Sequence, residues 1–175
     1  MISLHGKNFE PSIPHDTIQE KIAAVAERIN RDFEGQTPLF LSVLNGAFMF
    51  TSDLMKNITL TCEVSFVKVA SYEGTESTGT VKEMIGVQQD LKGRSVIVIE
   101  DIVDSGSTLA TIFEILTREG VADIKVATLL FKPEAYQKSF PVDYVGIEIP
   151  NDFVVGFGLD YDGLGRNLKD IYSLA

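Results

Sequence analysis

The apolar positions of this 175-residue chain follow two different spacings. Apolar residues at helical intervals predict helices over 16–33, 48–56 and 105–119. Short apolar runs between them predict strands over 39–44, 61–71, 82–90, 96–100, 124–131 and 144–147, with a last extended piece at 153–157. We expect Asp16 to cap the first helix and Gly120 to end the third. Val64, Phe66 and Val67 are expected to be buried. Residues 1–15, with two prolines and a mixed pattern, predict an irregular lead-in.

Strands that alternate with helices of this length predict an α/β fold, a parallel twisted sheet flanked by helices on both faces. The length fits one domain over residues 1–175. Ligands of such sheets bind beyond the carboxyl ends of the strands. Three polar positions follow apolar strands in this sequence, namely Asn45-Gly46, Glu100-Asp101 and Lys132. We expect the functional site at that edge of the sheet.

The segment from 96 to 109, VIVIEDIVDSGSTL, carries the strongest functional signal. It predicts a buried strand, a polar loop and a helix in direct succession. Its loop combines one glycine with three hydroxyl side chains, in the order Ser105, Gly106, Ser107 and Thr108. Small hydroxyl residues at a helix start present backbone N–H groups and side-chain donors to an anion. The loop therefore predicts a phosphate site.

Two adjacent acids, Glu100 and Asp101, stand between the strand and this loop. Carboxylates beside a phosphate repel it unless a cation or sugar hydroxyls lie between them, so the pair predicts contacts to a ribose diol or to hydrated Mg²⁺. Asp104 lies near the phosphate and is free for proton transfer. The structural alternatives are a solvated strand end at the acid pair and helix capping by Asp104 or Ser105.

Charge and composition narrow the classes of protein. A formal net charge of −10 argues against a protein that binds nucleic acid or an anionic membrane. It is compatible with an anionic small molecule, because a helix start and Mg²⁺ can reverse the local field. The single cysteine, Cys62, excludes an intrachain disulfide framework and is expected in the core. The sequence shows neither a signal-peptide pattern nor an apolar run of about 18 residues, so we expect a cytoplasmic protein.

The loop resembles the phosphoribosyl pyrophosphate (PRPP) loop of type I phosphoribosyltransferases. Other segments narrow the resemblance: Ser71-Tyr72 before a Gly- and Thr-rich loop, Leu129 to Lys132 at a strand end, and VGIEIPNDFVVGFGLDYD near the C-terminus. Together they are similar to the hypoxanthine-guanine phosphoribosyltransferase family. The similarity extends from about Leu41 to Arg166.

The resemblance implies purine salvage with Mg²⁺. The chain would transfer the 5-phosphoribosyl group of PRPP to N9 of hypoxanthine or guanine, giving IMP or GMP and pyrophosphate. The family also implies a small hood built from the N- and C-terminal segments, and a homodimer or homotetramer. A xanthine-using relative is the closest alternative. A PRPP-sensing regulator on the same fold is another, but it is expected to carry a basic nucleic-acid surface.

The resemblance also implies roles for individual residues. PRPP would bind Glu100, Asp101, Asp104, Ser105, Gly106, Ser107 and Thr108. Pyrophosphate would bind Leu44, Asn45, Gly46 and Arg166. Purine would bind Lys132, Phe153, Val154 and Asp160, and the metal would bind Glu100, Asp101 and Asp160. Asp104 would be the catalytic residue at the purine N7. Ser71 and Tyr72 would belong to a flexible lid at about 71–82.

Several of these positions have ordinary explanations when the residues are taken alone. Asn45-Gly46 can be a plain strand-to-helix turn, and many family members have Lys where Asn45 stands, so only a backbone role carries over. Tyr72 can be a surface aromatic at a strand end. Lys132 can be a solvated strand end. Phe153 can be a core residue, whereas the family implies a ring stacked on the purine.

Overall fold

The computed structural model describes residues 1–69 and 89–175 in full and residues 83–85 as backbone alone. Its helices are α1 (His15–Asp32), α2 (Phe48–Asn57) and α3 (Ser107–Arg118). Its strands are β1 (Ile2–Leu4), β2 (Lys7–Ile13), β3 (Leu39–Val43), β4 (Glu63–Val69), β5 (Glu83–Ile85), β6 (Ser95–Val103), β7 (Asp123–Phe131), β8 (Tyr144–Glu148), β9 (Val154–Val155) and β10 (Ile171–Leu174). No helix in the described ranges is long and apolar enough to cross a membrane.

The larger sheet has the strand order β5-β4-β3-β6-β7-β8. Its neighbouring pairs are parallel, except that β5 runs antiparallel to β4. The strands β3 and β6 lie side by side in the middle, with Ser42 aligned to Ile99. The carboxyl ends of these two strands therefore meet at one edge of the sheet, which confirms the predicted parallel α/β fold.

The strands of the larger sheet separate two hydrophobic cores, because successive side chains point to opposite faces. On one face, Phe40 and Ile97 pack with α1 and α2. On the other face, Leu41 and Val98 pack with α3. Cys62 is a half-buried free thiol that packs against the first core. Burial on both faces explains why β3 and β6 are continuous apolar runs in the sequence.

The smaller sheet is antiparallel, has the order β1-β2-β10-β9, and joins the two ends of the chain. It forms the hood that the family resemblance implied. The prediction of an irregular lead-in over 1–15 was wrong, because β1 and β2 form a hairpin there and β2 pairs with β10. The predicted extended piece at 153–157 shortens to β9, and Phe157 instead takes a positive φ of 48°.

The start of α1 is capped from the other end of the chain. Pro14 is its N-cap residue, and the backbone N–H of His15 donates to Oδ1 of Asp170 at 2.7 Å. The prediction that Asp16 caps this helix was wrong, since Asp16 lies in the first turn and the N-cap residue is Pro14. The carboxylate of Asp170 instead supplies the acceptor and connects the hood to α1.

The third helix ends as predicted. Gly120 has a φ of 74° just after the C-terminal end of α3.

The expected burial of Val64 and Phe66 was wrong, whereas Val67 is buried as expected. The side chains of Val64 and Phe66 on β4 are 38% and 41% exposed, because α2 packs mainly over β3 and β6 and leaves this part of the face open. The predicted strand 82–90 is described only as β5, Glu83–Ile85. The predicted strand 96–100 is longer, since β6 runs to Val103.

Candidate active site

The predicted phosphate loop lies between the end of β6 and the start of α3. Gly106 is the N-cap residue and has a left-handed φ of 79°. The first helical bond runs from Ala110 N–H to the Gly106 carbonyl at 3.0 Å, so the N–H groups before Ala110 have no acceptor within the helix. No bond from Asp104 to an N–H of α3 forms, so Asp104 does not cap the helix, whereas Oγ of Ser105 accepts the N–H of Ser107, the first residue of α3. The loop can therefore present backbone donors to an anion.

The hydroxyl groups of this loop lie at the same helix start. The Ser105 and Ser107 hydroxyl oxygens are 3.1 Å apart, and the Ser107 N–H donates to Oγ of Ser105 at 3.4 Å. The carboxylate of Asp104 accepts the N–H of Ser105, and Asp104, Ser107 and Thr108 are all exposed. Hydroxyl donors and backbone donors thus face solvent together.

Gly106 is required by close packing as well as by its φ. A Cβ atom at this position would lie 2.6 Å from the ring of Tyr136 and 2.8 Å from Cγ of Lys138. The Gln137 N–H also donates to the Ser105 carbonyl at 3.3 Å. The segment after β7 therefore packs directly against the phosphate loop.

The two acids at the end of β6 face opposite sides of the sheet. Glu100 is 5% exposed and shares a small pocket with Asp104 and Ser107, on the face covered by α3. Burial raises the pKa of Glu100 well above its usual range, and the charges of Asp101 and Asp104 raise it further. The sequence suggested one strand-end pair, but the alternation of β6 separates the acids into two environments.

Asp101 fills the space left by the missing side chain of Gly46. A Cβ atom at Gly46 would overlap the Asp101 carboxylate, and a Cβ atom at Gly158 would overlap the Gly46 carbonyl oxygen. We call this contact of Gly46, Asp101 and Gly158 the glycine notch. It joins the end of β3, the end of β6 and the C-terminal segment. The neighbouring Leu44–Asn45 peptide bond is cis.

The carboxyl group of Asp101 is in a mixed electrostatic environment. Burial raises its pKa to about 6. The backbone N–H groups of Ile102 and of Asp101 itself lower the pKa, as does the Arg166 guanidinium, whereas Asp160 raises it. Arg166 and Asp160 thus act electrostatically on the residue that fills the notch.

Arg166 is held by two bonds beside the notch. Its Nη2 forms an ion pair with Oδ1 of Asp160 at 2.7 Å, and its Nη1 donates to the Gly158 carbonyl at 2.7 Å. The Gly158 N–H donates back to the Arg166 carbonyl at 3.0 Å. The other carboxylate oxygen of Asp160 accepts the N–H of Gly163 at 2.7 Å. The guanidinium is therefore pre-positioned near Gly46 and Asp101.

The predicted purine contacts lie at the end of β7 and after β8. Lys132 is 9% exposed, and its N–H donates to the Val103 carbonyl at 2.9 Å. Its ammonium group forms no ion pair with any carboxylate in residues 1–69 and 89–175. A mostly buried cation without a counter-ion in that part of the protein suits a ligand acceptor better than a solvated strand end.

Phe153 is 46% exposed, so it is not a core residue. Its ring lies against Phe9 of β2 at 6.2 Å between centroids and meets Tyr161 edge-on at 5.6 Å. Val154, the next residue, is buried in β9. The hood thus presents an open aromatic ring at Phe153, which is suited to stacking on a flat ring.

Comparison with known proteins agrees with this geometry. Residues 14–162 match the Phosphoribosyl transferase domain family. The chain is 42% identical over 157 residues to the hypoxanthine-guanine phosphoribosyltransferase of Lactococcus lactis, covering 89% of this chain and 85% of that protein. The chain belongs to the hypoxanthine-guanine phosphoribosyltransferase family.

A solved structure from this family has nearly the same fold. The hypoxanthine-guanine phosphoribosyltransferase of Bacillus anthracis superposes with a TM-score of 0.88 at 37% identity, covering 95% of this chain and 98% of that chain. The chain is also 40% identical over 170 residues to the bifunctional protein TilS/HprT of Listeria innocua. It spans only 26% of the length of that relative.

The carboxylates at the site fit a hydrated Mg²⁺ better than a metal held by protein alone. No group of three or more His, Cys, Asp or Glu side chains in the described ranges could hold a metal ion. Asp101 and Asp160 are close enough to affect each other, whereas Glu100 faces the other side of β6. Mg²⁺ commonly keeps several waters and takes one or two carboxylates together with substrate phosphates.

Some residues that build this candidate site were missed from sequence. Gly158 and Tyr136 were missed; the signal for Gly158 was the run of glycines in GFGLDYDGLG. The packing of Tyr136 on Gly106 had no local sequence signal. The predicted lid residues Ser71 and Tyr72, with the loop 71–82, lie outside the described residues.

Replacing Asp101 by Asn should stabilise the ligand-free protein at neutral pH. The raised pKa means that the folded protein binds the proton more tightly than the unfolded chain, so the ionised carboxylate costs folding free energy. The gain from the substitution should be small near pH 4, grow between pH 4 and 6, and then level off at up to about 3 kcal/mol.

Urea unfolding of both proteins from pH 4 to 8 measures this difference. Asp152→Asn is the matched control, because Asp152 is an exposed carboxylate and its replacement should give no comparable gain. A free-energy difference between Asp101→Asn and the parent that does not change with pH would refute the prediction.

Proposed function

We propose that the chain transfers the 5-phosphoribosyl group of PRPP to N9 of hypoxanthine or guanine, giving IMP or GMP and pyrophosphate in purine salvage. The observation that carries the proposal is the phosphate loop beside the glycine notch, at the meeting edge of β3 and β6. The 5-phosphate group of PRPP can bind at the loop, and its pyrophosphate group can bind at the glycine notch. Membership of the hypoxanthine-guanine phosphoribosyltransferase family supports the same assignment.

The 5-phosphate group would accept bonds from the loop Asp104–Thr108. The backbone N–H groups at the start of α3 and the hydroxyls of Ser105, Ser107 and Thr108 are the donors. Glu100, in the pocket behind this loop, and Asp101, on the other face of β6, would accept the ribose hydroxyls. PRPP would then be positioned with its reacting carbon between the loop and the notch.

The pyrophosphate group would bind at the glycine notch. Leu44, Asn45 and Gly46 supply backbone there, and Arg166 supplies a fixed guanidinium that suits phosphate oxygens. When bound, Mg²⁺ would neutralise the charge of the leaving pyrophosphate, and Asp101 and Asp160 are the carboxylates that would hold it. The ionised state of Asp101 would favour that binding. Glu100 was also expected to hold the metal, but it lies on the other face of β6 and is left with the ribose contact.

The purine would lie between the two sheets of the protein. Phe153 would stack on its ring, and the Lys132 ammonium would donate to the 6-oxo group. A cationic donor at this position disfavours adenine, because the 6-amino group of adenine is itself a donor. Backbone carbonyls near Val154 and Asp160 would accept from the 2-position of guanine.

Asp104 is the proposed catalytic residue. It is the first residue of the phosphate loop, and its side chain is exposed where the nucleotide would bind. Its carboxylate would accept a proton from the purine N7 side as the new bond to N9 forms. We further propose that Ser71 and Tyr72 belong to a lid, since excluding water would protect an oxocarbenium-like ribosyl centre from hydrolysis.

The proposal extends to the cellular setting and to the rival functions. It includes a cytoplasmic location, as expected from the sequence, and a homodimer or homotetramer, as the family resemblance implies. A xanthine-using relative is the nearest alternative, because the 2-position, where xanthine differs from hypoxanthine and guanine, would be contacted by backbone and not by a side chain that the sequence identifies. A PRPP-sensing regulator is disfavoured by the net charge of −10 and by the presence of Asp104.

The direct test is an assay of the purified chain with PRPP, Mg²⁺ and one base at a time. Hypoxanthine and guanine should each give the nucleotide and pyrophosphate, whereas adenine should react poorly. A strong preference for xanthine would select the rival substrate. PRPP binding without turnover of any of the four bases would select the regulator.

Asp104→Asn should keep the fold and PRPP affinity while lowering kcat by about 10²–10⁴-fold, the usual range for general acid–base help. The amide nearly preserves the shape of the side chain but cannot take the proton. Steady-state kinetics with hypoxanthine measures the effect, with Asp16→Asn on the exposed first turn of α1 as control. A kcat within about twofold of the parent would remove Asp104 from the catalytic role.

Lys132→Gln should weaken purine binding more than PRPP binding and relax the selection against adenine. Glutamine can donate or accept, so it tolerates a 6-oxo or a 6-amino group. The measurement is the ratio of kcat/KM for hypoxanthine to that for adenine, with Lys21→Gln on the exposed side of α1 as control. If overall activity falls while this ratio stays fixed, Lys132 is structural and the 6-position is recognised elsewhere.

A further inference from the structure

The proposed 5-phosphate site has an unbalanced charge. Its loop, DSGST over 104–108, contains no basic side chain, and Glu100 shares the pocket behind it. A phosphate monoester carries a charge of about −1.5 to −2 at neutral pH. Backbone N–H groups and hydroxyls supply donors but no net positive charge. A cation from another segment would complete the site.

Lys138 is in contact with this loop. Its Cγ lies 2.8 Å from where a Cβ of Gly106 would be, so its methylene stem covers the left-handed residue that begins α3. The side chain is exposed, and its ammonium forms no ion pair with a carboxylate in the described part of the chain. A lysine can pack its stem on a surface while its charged end extends beyond it.

The segment around Lys138, residues 136–140, is fixed to the phosphate loop; we call it the strap. The ring of Tyr136 covers Gly106 and meets Phe131 of β7 edge-on at 5.4 Å between centroids. The Tyr136 hydroxyl donates to the Phe140 carbonyl at 2.7 Å, which ties the two ends of the strap together.

The far end of the strap is fastened to α3 itself. The ring of Phe140 stacks on Phe113 with centroids 4.3 Å apart and an interplanar angle of 21°. Between the two aromatic anchors, Gln137 donates its N–H to the Ser105 carbonyl at 3.3 Å. These contacts hold the backbone of Lys138 at one place beside the loop, which reduces the entropy lost when its ammonium binds an anion.

We propose that Lys138 supplies the cation that binds the 5-phosphate group of PRPP and of the nucleotide product. The inference rests on the proposed function, because it assigns a further residue to the same site. Lys138 would act as a flexible point charge added to the fixed donors of the loop. It would therefore increase affinity for phosphorylated ligands and leave the affinity for a nucleoside or a free base unchanged.

The test compares Lys138→Gln with the parent, with Lys138→Arg, and with Lys92→Gln as a control of equal net charge. Lys92 is exposed near Gly120, at the opposite end of α3. Calorimetry gives the Kd of IMP and of inosine, which differ only in the phosphate. Kinetics gives KM for PRPP and for hypoxanthine.

Lys138→Gln should raise the Kd of IMP and the KM for PRPP by about tenfold, the loss expected for one bond to a charged group. The Kd of inosine and the KM for hypoxanthine should stay within about twofold of the parent. Lys138→Arg should recover most of the IMP affinity, and raising the salt concentration should weaken IMP less in Lys138→Gln than in the parent.

Two results would overturn the assignment of Lys138. One is an IMP affinity and a PRPP KM in Lys138→Gln equal to those of Lys92→Gln. The other is an equal loss for IMP and inosine, which would mean that Lys138 only supports the strap. A parent protein that fails to use PRPP at all would instead overturn the proposed function, so the two failures are distinguishable.

Discussion

The candidate site depends on the absence of a side chain at Gly46. The Asp101 carboxylate occupies the place where a Cβ would be, and the Gly46 carbonyl lies where a Cβ of Gly158 would be. Three segments far apart in sequence can approach one another only because two of them have glycine at the contact. Parallel pairing of β3 with β6 brings the first two segments together, and the hood brings the third.

The electrostatics of the site follow from this packing. Burial at the end of β6 raises the pKa of both Glu100 and Asp101, which means that their ionised forms are costly without a ligand. A bound cation or a set of ribose hydroxyls would remove that cost, so binding energy and folding energy are coupled at these residues. The protein as a whole is acidic. The side chains of Lys132 and Arg166 and the N–H groups at the start of α3 nevertheless make the carboxyl edge of the larger sheet suitable for an anion.

The sequence predicted those strands and helices whose apolar residues form a regular pattern within the element itself. The apolar runs of β3, β6 and β7 and the helical spacing of α1 and α3 gave those elements within a few residues, because each is buried along a regular face. The phosphate loop was predicted for the same reason, since strand, loop and helix follow one another directly. Its assigned residue roles stay predictions.

The features that sequence missed depend on distant pairing. β2 is a strand because β10 lies beside it, and α1 is capped by Asp170, more than 150 residues away along the chain. The sequence analysis also treated Glu100 and Asp101 as one pair. They are neighbours in sequence but lie on opposite faces of β6. Val64 was expected in the core because its side chain is apolar. The sequence around it does not indicate whether a helix covers that part of the sheet, and its side chain is exposed.

Calorimetric titration of a Gly46→Ala variant with PRPP and Mg²⁺ tests the central claim most directly. The added methyl group must displace the Asp101 carboxylate or separate β3 from the C-terminal segment, so PRPP affinity should fall more than about tenfold, a loss above about 1.4 kcal/mol. Circular dichroism and urea unfolding of the same sample should show that the folded state persists. A folded Gly46→Ala protein that binds PRPP as tightly as the parent would contradict the account.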